Sequence, residues 1–407
     1  MHATGPSGTK GIERQPCGVP PVNSDERREA RRRRREERRA AKRAEAQTEL
    51  TLEAVADIDS LHRAALEARR GVCWKASVQR YMKDVLRNAV KSRKQLLNGD
   101  DVRRGFYEFD LFERGKLRHI TSVHYSERVV QKSLSQNVLV PSLTRSFIRN
   151  NTANTKGRGT DDAIARLKRD LVRHYRKHGT DGYILLVDFS NYFGSIDHGR
   201  MKRLVCDAVD DSRVCALEAS FIDACGDVGL GLGSEPNQVC AVAFPDRIDH
   251  FVTEMCRVEG YGRYMDDSYL ISSSKLDLQI CLALIRDMCE QMGLTVNMRK
   301  THIVKLSKGF TWLKKRVSYG ENGRVVIRPC RDSITRERRK LKKQARLVRD
   351  GKMTVEQVER SYQSWRGGML RLDAHRTLLR MDALYHELFV SSKKLSGGGF
   401  VALPLAA

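Results

Sequence analysis

Asp266 and Asp267 stand side by side in the stretch RYMDDSYLI, residues 263–271, between an aromatic approach and the strand formers Tyr269, Leu270 and Ile271. Two carboxylates about 4 Å apart repel by roughly 4 kcal/mol at an effective dielectric near 20. A fold accepts that cost where positive charge sits between them, usually a divalent cation. Asp-Asp pairs also occur in ordinary solvated hairpin turns. What sets this pair apart is its aromatic flank, the strand pattern and a further carboxylate upstream. Tyr183–Val187 is a nearly continuous apolar run, as expected of a strand buried on both faces, and it ends in Asp188. Such an Asp would serve equally as a helix cap; beside the Asp-Asp turn it supplies the third carboxylate of a metal site.

Two further stretches have the composition of phosphate cradles. Lys156, Gly157, Arg158 and Gly159 precede a helix that Thr160 or Asp161 is placed to cap. Residues 229–238, GLGLGSEPNQ, form a Gly-rich turn opening a helix over 239–256. Glycines and cations at a helix N-terminus aim backbone N–H groups at an anion, although basic Gly-rich loops are common.

The elements that must hold these residues follow from periodicity. Residues 25–46, DERREARRRRREERRAAKRAEA, pair Glu and Arg at helical spacing, which fits a solvated single helix as well as an arm tracking phosphates. The run 31–35 also resembles a nuclear address. Residues 48–98 read as helices with a break near Gly71, and Trp74 and Tyr81 are expected in the core. Short strands then lead to a helix at 126–138. Helices are expected from about His198 to 226 and over 275–292, with an edge strand at 293–304 carrying Lys300. A hairpin follows over 310–329, turning at 321–323. A basic helix over 332–348, capped by Asp332 or Ser333, sets Arg336, Arg339, Lys340 and Lys343 on one face. Helices at 354–365, with Trp365 expected in their core, and His375–Phe389 complete the ordered chain.

Composition narrows the partners. The 407 residues carry 75 Lys and Arg against 50 Asp and Glu, a net charge of +25. An excess of that size points to nucleic acid, and no stretch pairs a basic face with a strongly apolar one as a membrane surface would need. Hydrophobic residues make up 40% and charged residues 31%, enough for a sizeable core in two or three lobes. The first residues lack the apolar centre of a signal peptide and no run is long enough to span a bilayer, so a cytoplasmic location is expected. The ten cysteines are scattered without a C-x-x-C pair, which reads as reduced thiols rather than a disulfide or zinc framework.

Taken in order, Asp188 with Phe193, the 229–238 turn, YMDD, Lys300 in GLTVNMRKT and the hairpin beginning Phe310-TWL resemble the palm of reverse transcriptases. The stretch RHITSVHYSERVVQ, 118–131, and the KGRGT loop resemble finger motifs of the bacterial and phage branch, which includes group II intron, retron and diversity-generating retroelement enzymes. The resemblance covers roughly residues 105–390. It implies an α+β right-hand polymerase with fingers, a palm built as an antiparallel sheet flanked by helices, and a helical thumb. The implied divisions are a disordered N-terminus over 1–24, a basic helical arm over 25–70, fingers over 71–180, palm over 181–328, thumb over 329–395 and a flexible tail over 396–407.

The activity implied is RNA-directed DNA polymerisation by two-metal nucleotidyl transfer. Asp188, Asp266 and Asp267 would be catalytic and, with the Phe189 carbonyl, would hold two Mg²⁺ ions, with Mn²⁺ as the alternative. Mg²⁺ suits a few hard oxygens completed by water and phosphate. Phe193 would lie under the sugar and exclude a 2′ hydroxyl, or serve as a plain core residue. Arg118, Lys156 and Arg158 are the implied triphosphate contacts, with Thr155 standing where relatives often carry Arg. Lys300 would sit by the pyrophosphate, or on the surface. Leu232 stands where many relatives carry Gln, and Gln238 follows it, a pattern that resembles the error-prone diversity-generating enzymes. Arg336, Arg339, Lys340 and Lys343 would grip the template–primer backbone. Implied partners are an RNA template, a DNA or RNA primer, dNTPs, and a structured non-coding RNA or a basic accessory protein; no membrane is implied. The readings left beside this one are a retron-type or phage-defence reverse transcriptase, a maturase-like RNA-binding protein without chemistry, and an RNA-dependent RNA polymerase.

Overall fold

The computed structural model describes residues 24–113, 116–155, 157–256 and 258–390, so the tail expected over 396–407, and all but Ser24 of the N-terminus expected to be disordered over 1–24, lie outside the described residues. The chain is α+β, with helices dominating small antiparallel sheets. Helix α1 (Ser24–Gln47) matches the expected arm. Its basic side chains are exposed, and it is anchored at its C-terminal end, where Arg43 and Gln47 donate to the carbonyls of Asp207 and Ala208 at 2.7 and 2.8 Å.

The rest of the stretch expected to be an arm is not one. Helices α2 (Leu52–Ala56) and α3 (Ile58–Ala68) bury Leu52, Val55, Leu61, Ala64 and Ala65. They pack with α4 (Ala76–Lys83) and α5 (Val85–Asn98) because their apolar residues recur at three- and four-residue steps. Full burial of one such leucine is worth about 1.5–3 kcal/mol. Tyr81 is in this core as expected, but Trp74 is 72% exposed. It lies in the turn between α3 and α4, outside either apolar face, with the Lys75 ammonium 5.7 Å from its ring.

Strands β1 (Phe106–Glu113) and β2 (Lys116–Val123) form a separate hairpin. Helix α6 (Tyr125–Leu134) follows, continued by one π-helical turn and then α7 (Val140–Leu143). Helix α8 (Thr160–His178) starts where expected, but its N-cap is Gly159, and neither Thr160 nor Asp161 caps it, since both are already inside the helix. Strand β3 (Tyr183–Val187) is the buried central strand. Next come α9 (Tyr192–Ser195), α10 (His198–Ala208) and α11 (Ser212–Asp223).

The Gly-rich turn is shorter than its spacing suggested. Ser234 accepts from the Asn237 N–H, Pro236 sits in the first turn, and α12 (Glu235–Ala243) already contains Asn237 and Gln238; α13 (Asp246–Glu254) is a separate helix. Strands β4 (Gly260–Tyr264) and β5 (Asp267–Ser272) make the next hairpin, followed by α14 (Lys275–Gln291) and the short strand β6 (His302–Lys305). The four-stranded sheet runs β4-β5-β3-β6, antiparallel throughout.

A three-stranded sheet of β7 (Phe310–Trp312), β8 (Lys315–Tyr319) and β9 (Val325–Pro329) comes next. The basic helix α15 (Arg331–Arg349) is capped by Cys330 with no side-chain bond, so Asp332 and Ser333 are first-turn residues rather than caps. Helix α16 (Val355–Leu370) opens on a Thr354–Gln357 capping box, and α17 (His375–Phe389) closes the chain.

One large apolar cluster, from Leu50 to Val296, crosses the divisions expected at residues 70 and 180. A second lies between α8, the opposite face of the sheet and the β7–β9 sheet. A third, around Leu341, Tyr362 and Met381, belongs to α15–α17, with Trp365 stacked on Tyr362. Among the described residues no helix is long and apolar enough to cross a membrane, and the nine described cysteines are free.

Candidate active site

Register brings the carboxylates together. Val187 pairs with Ser268, and Tyr264 pairs with Asp267 across the Met265–Asp266 turn. Asp188 and Asp267 therefore leave neighbouring antiparallel strands at the same end of the sheet, with Asp266 at the tip. The turn holds Met265 at φ 56°, in the left-handed region that an L-residue enters at a cost of about 1–2 kcal/mol.

That cost is borne by a buried anchor beneath the turn. The Arg263 side chain is 2% exposed and Asp249 is fully buried. The guanidinium donates to both Asp249 oxygens, with Nε at 2.8 and 3.0 Å and Nη2 at 2.6 Å. Nη2 also reaches the Val242 carbonyl and Nη1 the Met265 carbonyl, each at 2.9 Å. Tyr261 donates its hydroxyl to Asp249 at 2.6 Å. A planar fork of donors meets an acid and two carbonyls at once, a geometry that lysine lacks. The helix α13, through Asp249, thus holds the strained peptide of the Met265–Asp266 turn in place.

Asp188 is held from the other side by the segment after α14. Asn297 donates Nδ2 to Asp188 Oδ2 at 3.1 Å, and its N–H bonds the Asp188 carbonyl at 2.8 Å. Thr301 Oγ1 accepts from the Asp188 N–H at 3.3 Å. Lys300 Nζ lies 3.1 and 2.8 Å from the two Asp188 oxygens, and this bond raises the lysine's pKa. Lys300 is therefore exposed, as a surface lysine would be, and also a member of the carboxylate cluster. Phe189 is buried beside Val296, with which it forms a bridge.

The cluster carries more negative charge than it neutralises. Burial, reinforced by Asp266 and Asp188, pushes Asp267 up to about 7. Burial and the Asp188 charge also raise Asp266. Asp188, Asp266 and Asp267 thus set three carboxylates at one sheet end, with Lys300 bound to Asp188, whereas among the described residues the group whose ligand atoms stand close enough to share an ion is His174, His178 and Glu259.

The flanking loops converge on the same region. The Gly229 N–H bonds the Ile196 carbonyl and the Leu230 N–H the Phe193 carbonyl, at 2.9 and 2.7 Å. A Cβ at Gly229, where φ is +88°, would stand 2.8 Å from Gly194 Cα, so only glycine lets these chains cross. The loop carrying the half-buried Leu232 is thus laid against the turn carrying the half-buried Phe193. Its other side meets β2, where a Cβ at Gly233 would fall 2.9 Å from the Thr121 carbonyl. Gln238 is half-buried in α12.

Segment 150–152 is stitched to the edge of β4. The Arg263 N–H bonds the Asn150 carbonyl at 3.1 Å, and the Thr152 N–H bonds the Arg263 carbonyl at 3.3 Å. The bridge is parallel, so residues 150–152 run along β4 toward the carboxylate end. Arg158 is exposed, and its Nη1 is tied to the carbonyls of Arg149 and Asn151 at 3.3 and 3.2 Å. Lys156 and the Arg118 side chain lie outside the described residues, and the Arg118 backbone pairs with Leu111. On α15, Arg336, Arg339 and Lys343 are exposed, whereas Lys340 borders the packed face and pairs with Glu337 at 3.3 Å.

No family model matches this chain, and no curated protein matches it either.

Sequence reasoning missed Arg263, Asp249, Asn297 and Thr301 as parts of the site. Asn297 and Thr301 flank Lys300 in NMRKT and were within reach of a turn reading. Nothing local marks Asp249 and Arg263 as partners.

Proposed function

We propose that this chain is an RNA-directed DNA polymerase of the bacterial or phage reverse transcriptase type, acting in the cytoplasm on an RNA template, a DNA or RNA primer and dNTPs. The observation that carries the reading is the convergence of Asp188 with Asp266–Asp267 at one end of an antiparallel sheet. On this reading the sheet and its helices are the palm, the β1–β2 hairpin and the 155–159 loop belong to the fingers, and α15–α17 are the thumb. Asp188, Asp266, Asp267 and the Phe189 carbonyl would hold two Mg²⁺ ions, which when bound make the primer 3′ hydroxyl more acidic and offset charge on the triphosphate.

The chain's own residues orient and select. Arg263 and Asp249 fix the turn that presents Asp266, Asn297 and Thr301 fix Asp188, and Lys300, which bonds Asp188, would stabilise or protonate the leaving pyrophosphate once released from that carboxylate. Phe193 would exclude a 2′ hydroxyl, which favours dNTPs and sets this reading apart from an RNA polymerase. Leu232 lacks an amide to hydrogen-bond near the template or incoming base, which fits error-prone copying as in a diversity-generating retroelement.

The test is primer extension on an RNA template with competing dNTPs and NTPs. Asp188→Asn and Asp266→Asn should each abolish extension while template–primer binding stays near normal. A wild-type protein that binds RNA but extends nothing would support the maturase-like reading instead.

A further inference from the structure

At the other end of the sheet lies a second cluster whose chemistry differs from that of the carboxylates. His174 and His178 are four residues apart on α8, which sets their rings on one helix face, tilted by 38° with centroids 5.0 Å apart. Glu259, whose N–H bonds the Ile271 carbonyl at 2.9 Å, enters from the residue before β4. Its Oε2 lies 2.8 Å from His174 Nδ1 and its Oε1 lies 3.0 Å from His178 Nε2. One ligand atom from each residue lies within 4.8 Å of the other two.

The tautomer of His174 decides what this contact means. His174 Nε2 is 2.6 Å from the Asp181 carbonyl, which can only accept, so Nε2 carries the hydrogen. Neutral His174 then presents the Nδ1 lone pair to a carboxylate oxygen. Two electron pairs face each other there unless a proton or a metal ion lies between them. A carbonyl that fixes the far nitrogen of a buried histidine is also the outer partner that metal-bound histidines usually have. The room for this ring is specific: Gly182 at φ +136° starts the turn into β3, and a Cβ there would collide with His174 Nε2.

We propose that His174 Nδ1, His178 Nε2 and the Glu259 carboxylate form a site for a borderline divalent ion of the Zn²⁺ class, independent of the carboxylates that would hold Mg²⁺. Two imidazoles and a carboxylate suit zinc better than magnesium. Ligands at about 2.0–2.1 Å in a tetrahedron stand roughly 3.3 Å apart, close to the 2.8 and 3.0 Å at which the two Glu259 oxygens meet the imidazoles, and the three ligand atoms, within 4.8 Å of one another, must draw in round one ion. The His174 side chain is fully buried, whereas His178 and Glu259 are 35% and 21% exposed, which leaves the fourth position to water. Since β4 is five residues long, the site is about 15 Å from the Asp266 turn. Its role is to clamp α8 to the far end of the sheet, a structural rather than catalytic one.

The full-length chain, stripped with chelator and returned to excess Mg²⁺, is titrated with Co²⁺ and with Zn²⁺. One equivalent of Co²⁺ should give the visible absorption of a tetrahedral N/O site, displaced by Zn²⁺, and Zn²⁺ should raise the unfolding midpoint. His178→Ala and Glu259→Gln should each weaken uptake at least 100-fold while Asp266→Asn leaves it unchanged. Because His178 is partly exposed, its variant should fold, and an unchanged far-ultraviolet spectrum checks this. Absence of the cobalt bands, or equal uptake by His178→Ala, would overturn the proposal and leave a hydrogen-bonded His–Glu–His clasp.

Discussion

Arg263→Lys keeps the buried charge beneath the YMDD turn and removes the fork that distributes it. In the native protein the guanidinium serves three acceptors: the Asp249 carboxylate, the Val242 carbonyl and the Met265 carbonyl. An ammonium that stays on Asp249 cannot also span two carbonyls at fixed angles. Each buried acceptor left without a donor costs about 1–3 kcal/mol, and Met265 sits in a half-buried turn where water recovers part of its share. The loss expected is about 2–4 kcal/mol, a large fraction of the 5–15 kcal/mol typical of a folded domain. Asp249→Ala should cost more, about 3–5 kcal/mol, because it strands the guanidinium without its acid. The Met265 carbonyl is also what holds the left-handed turn, so Arg263→Lys should slow primer extension at least tenfold with template–primer affinity nearly unchanged. Urea unfolding and single-turnover extension, measured on the same preparation, check both halves. An Arg263→Lys protein that unfolds at the wild-type midpoint and extends at the wild-type rate would refute the anchoring role.

Further expectations concern pH, salt and fidelity. Glu218 is fully buried, and burial pushes it up to about 8. Its folded form prefers the neutral acid, so its stabilising share is complete below about 4.5 and is lost as pH rises through about 8, by at most roughly 5 kcal/mol. Glu218→Gln, which cannot ionise, should flatten that fall when urea midpoints at pH 5 and pH 9 are compared; parallel curves would contradict it. Arg339→Ala and Lys343→Ala on α15 should each lower the slope of log binding constant against log salt by about 0.7–0.9, and unchanged slopes would place these cations off the nucleic-acid path. Leu232→Gln should reduce misincorporation, most of all opposite template adenines; equal error profiles for the two proteins across all four template bases would remove Leu232 from fidelity.

What was legible in the sequence is what a single element writes. The apolar run ending in Asp188 and the strand formers after Asp267 mark strands by themselves, and His375–Phe389 was placed to the residue because its period and breaks are local. Helix starts were less legible: Gly159 and Cys330 cap α8 and α15 without a side-chain bond, so the nearby Asp, Ser and Thr misled. The opposite case is α12, where Ser234 and Pro236 were a usable signal that the glycines obscured. Residues 50–68 were grouped with the basic arm by position, although their own apolar spacing places them in the main core. The Arg263–Asp249 pair was beyond reach because a buried ion pair between a helix and a strand looks, residue by residue, like two surface charges. Glu259 joins two histidines only through the pairing of α8 with β4.

The stitch of residues 150–152 along β4 has a consequence for the protein in solution. β4 is an outer strand of the four-stranded sheet, and an open outer strand offers unpaired N–H and C=O groups to any extended chain that drifts past. Here the Arg263 N–H and carbonyl are already taken by Asn150 and Thr152. The opposite border, β6, is only four residues long and ends in Lys305, two features that discourage strand addition. One border is closed by its own chain and the other is short and charged, so the sheet is guarded against the edge-to-edge self-association that leads to aggregates.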